Sequence, residues 1–306
     1  MGSPVLWVSF NVFVLFALAL DLGVFHRKAH KIGLREAAVG SAIWITLALL
    51  FAFFVWHWFG EQRGLEFLTG YVIEKALSVD NLFVFLVVFR AFRVEDELQH
   101  RVLAWGILGA LVMRGLMIAA GAALISRFFW IIPVLGLFLV YTGAHMLWKH
   151  DKQLHYEKNR VFRFASTHLR VTKSYRGSRF FVRENGQLLA TPLLLVLLVI
   201  EISDVTFAVD SIPAVFGITR DPFIVYTSNV FAILGLRALY FLLADLLGYL
   251  RYLGTGLALV LIFVGAKMAL EPWWHVSVGL SLGIIAAILA FTVILSLRAG
   301  PRKNSQ

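Results

Sequence analysis

The chain has 306 residues, 60% of them hydrophobic and only 15% charged, with a mean hydropathy of +0.81 and a net charge of +10. Such a composition excludes an ordinary soluble domain and points to a polytopic membrane protein. The absence of cysteine excludes disulfides, thiolate metal sites and thiol redox chemistry. The basic residues lie in short segments between apolar runs, which is the pattern of membrane topology and not of nucleic-acid binding.

Nine apolar runs can be placed near 5–23, 36–59, 67–89, 102–126, 128–148, 188–212, 223–246, 256–271 and 273–297. Most are long enough for the ~20 residues a helical span needs. The first run lacks a basic lead and is followed by basic residues, so it reads as a span and not as a cleavable signal. Loop charge alternates along the chain. Arg27, Lys28, Lys31 and Arg35 lie in the first loop and Arg90, Arg93 and Arg101 in the third, and ten Lys/Arg lie between Lys149 and Arg183. The intervening loops carry only Arg63, Arg127 and Arg220. By the positive-inside rule the N-terminus is expected outside, and the C-terminus, with Arg298, Arg302 and Lys303, in the cytoplasm. The polar segment 149–187 reads as a small cytoplasmic cap that can rest on anionic head groups. Its His150, His155 and His168 match no metal-ligand spacing and read as solvated.

The sixth run holds three carboxylates, Glu201, Asp204 and Asp210. An ionised carboxylate at mid-membrane costs about 2.5–3.5 kcal/mol on the insertion scale, so such groups normally face a bundle interior. Glu201 and Asp204 share a helical face, whereas Asp210 is half a turn away on a straight helix. Pro213 is therefore expected to break the helix and free a carbonyl beside Asp210. The rival reading is that the acids only pair with intramembrane Arg and Lys to hold helices together.

An internal repeat organises the rest. EKALSVDN (74–81) aligns with DVTFAVDS (204–211), so Glu74 and Asp80 match Asp204 and Asp210. Arg114 then corresponds to Arg237, and GAHM (143–146) to GAKM (265–268), in order. Three spans per unit invert the second copy relative to the first. The expected fold is an all-α polytopic membrane protein of about nine transmembrane helices with two inverted three-helix repeats. The segments are 1–66, a first repeat 67–148, the loop 149–187, a second repeat 188–271, and a last span with a basic tail, 272–306.

On this scheme Glu74, Asp80, Glu201, Asp204 and Asp210 converge near the midplane, exceeding the cations Lys75, Arg114, Arg237 and Lys267 by one charge. Asn81, Ser211 and Asn229 are further oxygen donors. The donor set is hard and suits Mn²⁺, Mg²⁺ or Ca²⁺, with no choice among them. Arg114 and Arg237 read as counter-charges. Lys267 and its repeat-mate His145 are candidates for proton relay, with a structural role as the alternative. Met146 and Met268 read as packing. No GxxxxGK[ST] motif occurs, which removes a direct ATP pump; no enzymatic activity and no bound cofactor are expected.

The stretches FLTGYVIEKALSVDNLFVFLVVF (67–89), 190–244 and VGAKM (264–268) resemble the TerC family of integral membrane proteins, in its Alx-type bacterial branch. The resemblance covers nearly all spans. It implies a protein of the LysE-type transporter superfamily in the bacterial inner membrane, associated with manganese export and homeostasis and with tellurium resistance, with the five acids as functional residues. His145 departs from the lysine of the second repeat. The leading functional expectation is a Mn²⁺ exporter exchanging for protons. The alternative is a membrane protein partnering the secretion machinery through the loop 149–187. Direct tellurite chemistry is disfavoured by the lack of a thiol.

Overall fold

The structure is a computed structural model that describes residues 3–23, 33–128, 130–148, 171–172, 174–184, 187–243, 252–270, 273 and 276–299; the side chains of Val79, Asp80, Phe83, Ala91 and Leu243 lie outside the description. His150, His155 and His168, with most of the polar loop, also lie outside it. The described chain is almost wholly helical: α1 (Pro4–Gly23), α2 (Leu34–Phe59), α3 (Glu61–Ala91), α4 (Asp96–Arg127) and α5 (Ile131–Trp148) precede a hairpin of β1 (Phe181–Glu184) and β2 (Gln187–Ala190). Then come α6 (Pro192–Phe216), α7 (Pro222–Leu234), α8 (Leu236–Leu243), α9 (Leu253–Leu270) and α10 (Val278–Ala299).

Eight stretches are long and apolar enough to cross a membrane, with α7 and α8 counted as one crossing. The helix left out is α3, which carries Glu74, Lys75 and Asp80 in its middle. Its 31 residues nevertheless reach beyond the ~30 Å of hydrocarbon at 1.5 Å per residue. With α3 the described residues supply nine crossings of an all-α membrane protein. Gly60 separates α2 from α3 at φ 92°, a left-handed conformation that costs glycine nothing.

Two boundaries differ from the sequence expectation. The sixth span begins at Pro192, not near 188, because Gln187–Ala190 pairs with Phe181–Glu184 in an antiparallel ladder. Thr191 then takes the N-cap position and Pro192 the first turn, where a missing N–H is harmless. The expected break at Pro213 does not occur. Instead α6 runs through Pro213 and ends three residues later at Phe216, so the proline removes one helical bond without ending the helix. The discontinuity lies in the seventh span, at Gly235 between α7 and α8.

The packing interchanges under exchange of the two halves. In the middle, α3 lies against α6; α4 packs on α6 as α7 packs on α3, and α5 packs on α9. The close approaches of α5 and α9 carry the same relation. A Cβ at Gly143 would lie 2.6 Å from the Ala258 carbonyl oxygen, and one at Gly265 would lie 2.5 Å from that of Gly136. Gly143 precedes Gly265 by the 122 residues that separate Gly136 from Ala258, so the two contacts are repeat-mates. Lipid offers no hydrophobic drive for helix pairing, and small residues that admit close backbone contact supply the packing instead. Met268 is buried and Met146 packs in the same cluster, as expected of core residues.

Outside the repeats, an aromatic cluster ties α1 and α2 to the centre. The Phe51 ring packs at tilted angles with its centroid 5.0 Å from that of Phe231, 5.1 Å from Phe67 and 5.5 Å from Phe10. At one end of the bundle, the Tyr175 hydroxyl donates to the Phe92 carbonyl at 2.7 Å and anchors the hairpin segment to the α3–α4 turn. Burial there, with the Glu95 charge nearby, raises the Tyr175 phenol above its usual range.

Candidate functional site

The centre of the bundle is built on Arg114, a fully enclosed guanidinium on α4. Its Nε donates to Asp204 Oδ2 at 3.0 Å and its Nη2 to Asp204 Oδ1 at 2.8 Å, a bidentate grip on α6. Its Nη1 donates to Glu74 Oε1 on α3 and to Asn229 Oδ1 on α7 at 3.2 Å. Asn81 Nδ2 adds a donor to Asp204 Oδ1 at 3.2 Å. Arginine's planar fork of donors makes this four-helix junction geometrically specific in a way a lysine could not. Repeat-mates Glu74 and Asp204 thus share one cation.

The helix register explains which residues meet. Asn81 touches Asp204, and a Cβ at Gly70 would lie 3.1 Å from Val215. Eleven residues along α3 correspond to eleven residues back along α6 in these two contacts, so the helices cross antiparallel and Glu74 stands level with Ser211. Tyr71, Glu74, Ser78 and Asn81 lie at i, i+3, i+7 and i+10, one face of a helix. In the repeat alignment their mates on α6 are Glu201, Asp204, Ala208 and Ser211. Buried on these facing stripes are side-chain atoms with no hydrogen-bond partner among the described residues: Tyr71 Oη, Glu74 Oε2, Ser78 Oγ, Asn81 Oδ1 and Ser211 Oγ. Asn229 Nδ2 is unpartnered as well.

The other expected residues are spread around this centre. Glu201 is half-buried against α4, where any Cβ at Gly109 would collide with its carboxylate. Asp210 points away from Glu201, as half a turn of unbroken helix dictates, and lies near Thr142 of α5. Asp80 occupies the helical position before Asn81, its side chain outside the description. Lys75 places Nζ 3.2 Å from the Ala232 carbonyl oxygen and so caps α7 just before the Gly235 break. Lys267 is half-buried on α9, and His145 is exposed and stacked on Tyr141. Among the described residues no three His, Asp or Glu side chains gather as a metal-holding group. The helix-tethering alternative describes Asp204 well, but leaves the second oxygen of Glu74 unaccounted for.

Arg237, the repeat-mate of Arg114, takes a different partner. It pairs with Asp21 of α1 at 2.6 Å and approaches His100 Nδ1 at 3.4 Å. A narrow cavity runs between Arg237 and Asp204, walled by Phe85, Leu103, Gly106 and Leu236.

Asp21 escaped the sequence reading, because nothing local marks it as a partner for α8. A second missed cluster ties the start of α3 to the α6–α7 turn. Arg63 Nη1 donates to Asp221 Oδ2 at 2.5 Å and Thr219 Oγ1 to Glu66 Oε2 at 2.6 Å, with Glu66 and Asp221 buried. Asp221 Oδ1 also accepts from the Phe223 N–H at 2.9 Å as the N-cap of α7. The Asp-Pro pair at 221–222 is a legible helix-start signal that could have flagged it.

A family model for the integral membrane protein TerC family matches residues 59–304, which include every helix of both repeats. The chain belongs to the TerC family. It is 50% identical over 297 residues to an uncharacterized membrane protein of Myxococcus xanthus, covering 97% of this chain and 93% of that one. It is 50% identical to the Photorhabdus laumondii protein named "Putative membrane-bound redox modulator Alx" and 46% identical to the Escherichia coli K12 protein of the same name, in each case over 100% of this chain and 98% of the relative. No solved structure matches it. These relatives are described as membrane proteins or modulators and not as enzymes.

Proposed function

We propose that this TerC-family chain is a secondary transporter that exports a divalent metal, Mn²⁺, across the bacterial inner membrane in exchange for protons. The observation that carries the reading is the crossing of α3 and α6, where two buried carboxylates share a single guanidinium. Negative charge is left over in a place where it is costly, and such groups in a span normally serve ions or protons. The half-helix α7, ending at Gly235 with the Ala232 carbonyl accepting from Lys75, is the kind of discontinuity that transporters place beside an ion path. Buried oxygen atoms are available to a cation substrate, and the lack of cysteine excludes thiolates, which suits a hard ion. Thiol exchange, one route to the redox role in the relatives' name, is likewise closed to this chain.

Loop charge supports an orientation with the N-terminus outside and the C-terminus in the cytoplasm. Moving a 2+ ion outward against an inside-negative potential then costs about 4.6 kcal/mol per 100 mV, so export needs a downhill partner, and proton entry on the acidic helices supplies one. In Mn²⁺-loaded cells, Asp80→Asn or Asp210→Asn is expected to reduce efflux to background while the protein remains in the membrane. Efflux at the wild-type rate in both variants would end the proposal.

A further inference from the structure

We infer that Arg237 is the moving part of a two-state switch. In the second state α8 turns about Gly235 and carries Arg237 from Asp21 to Asp204, while Arg114 gives up Asp204 and closes on both oxygens of Glu74.

The repeat supplies the comparison. Arg114 and Glu74 are the mates of Arg237 and Asp204. In the first copy the arginine and the acid are joined. In the second they are held apart, and both line the narrow cavity between them. Asp204 is gripped by the arginine of the other copy, and Arg237 pairs with Asp21 of a helix outside the repeat. The backbone differs at the same place. Helix α4 runs unbroken through Val112, two residues before Arg114, whereas its mate Gly235, two residues before Arg237, interrupts the span. One unit in two copies thus shows two arrangements of the same arginine, acid and helix. Inverted copies in unequal arrangements are what a protein that rocks one copy against the other presents in either of its states.

Each exchange of partners has an acceptor ready. Arg114 reaches Glu74 Oε1 through Nη1 and Asp204 through Nε and Nη2, so it can release the second acid without leaving the first. Glu74 Oε2, buried and without a hydrogen-bond partner among the described residues, belongs to the carboxylate that Nη1 already holds and can take the freed Nη2. Between Arg237 and Asp204 the cavity walled by Phe85, Leu103, Gly106 and Leu236 leaves space that a close-packed interior would have filled. Asp21, about one-fifth exposed, can be left to water. Arg237 is only 3% exposed and needs a carboxylate in either state. In its present position it also lies beside His100 of α4, and the charge of Glu36 on α2 acts on it.

In the second state each acid holds the arginine of its own copy, and the Glu74 oxygen that stands open in the first is covered. On the exporter reading the switch opens and shuts the ion's place at the α3–α6 crossing. The exchange of partners itself does not rest on that reading.

The chain has no cysteine, so a pair of spin labels can be attached at Leu242→Cys on α8 and Leu297→Cys on α10 and nowhere else. The distance between them is measured by double electron–electron resonance on the full-length protein in lipid nanodiscs. Asp21→Asn is expected to bring up a second distance, raising its population relative to the first by about tenfold. Adding Arg237→Gln to Asp21→Asn should remove that population, because α8 turns only to bring Arg237 to Asp204. A bundle merely loosened by the loss of Asp21 would keep the new distance in the double variant, and that result would overturn the inference. So would an Asp21→Asn distribution identical to that of the labelled parent. No ion gradient enters the measurement, so absence of Mn²⁺ efflux in cells would sink the exporter proposal and leave the distance result standing.

Discussion

Arg114 and Arg237 hold the same position in two copies of one unit, yet the first joins four helices of the repeats and the second reaches outside them. Arg114 binds Glu74, Asp204 and Asn229; Arg237 binds Asp21 on α1. The backbone therefore obeys the repeat while the charges do not, and the helix that breaks the symmetry is one that neither copy contains. A duplicated unit fixes where side chains stand. Its surroundings decide which partner each one takes.

The comparison can be broken most severely at Arg114. Arg114→Met leaves two buried carboxylates without a cation, and removing one member of a buried pair costs about 3–5 kcal/mol. The variant is expected to lose most of its thermal resistance in detergent, and Arg114→Lys to recover only part of it because the fork geometry is gone. Arg237→Met should be milder, since Asp21 is about one-fifth exposed and water can reach it. The double variant Arg237→Met with Asp21→Asn should then unfold within a few degrees of the wild type, whereas a deficit equal to that of Arg114→Met would erase the distinction between the two arginines. The smallest effects should come from the part of the fold that does obey the repeat. Gly143→Ala and Gly265→Ala, at the two repeat-related contacts, each insert a methyl group against backbone of the facing helix, an overpacking worth about 1–3 kcal/mol. Their two unfolding midpoints are expected to shift together, and a large shift in one alone would show that the α5–α9 contact is not symmetric in energy.

Much of this architecture is legible in the sequence because membrane spans are set by long apolar runs and because the EKALSVDN and DVTFAVDS segments keep their acids in register. The pairing of Glu74 and Asp204 on one arginine follows from that alignment once α3 and α6 cross antiparallel. What the sequence does not carry is which non-repeat helix lies nearest. Asp21 is therefore invisible as a partner for Arg237, although both residues are plainly charged. Pro213 misleads because a proline inside a helix can cost one bond without ending the helix, and α6 continues through it to Phe216. Gly235 could have been suspected as a helix breaker but has nothing around it in the sequence to set it apart from other glycines in apolar runs. The hairpin at 181–190 had a signal, the Asn-Gly pair at 185–186 between two short runs, which the surrounding hydropathy conceals. The separation of Asp210 from Glu201 was implicit in helical period alone.

The glycine contacts between α5 and α9 have a mechanical consequence. Where main chain meets main chain with no side chain between, there is nothing that can repack to let one rod slide along the other. Any rocking of one half against its counterpart must turn about that line as a door turns about its pin, and the polar crossing of α3 and α6 is where the door would swing.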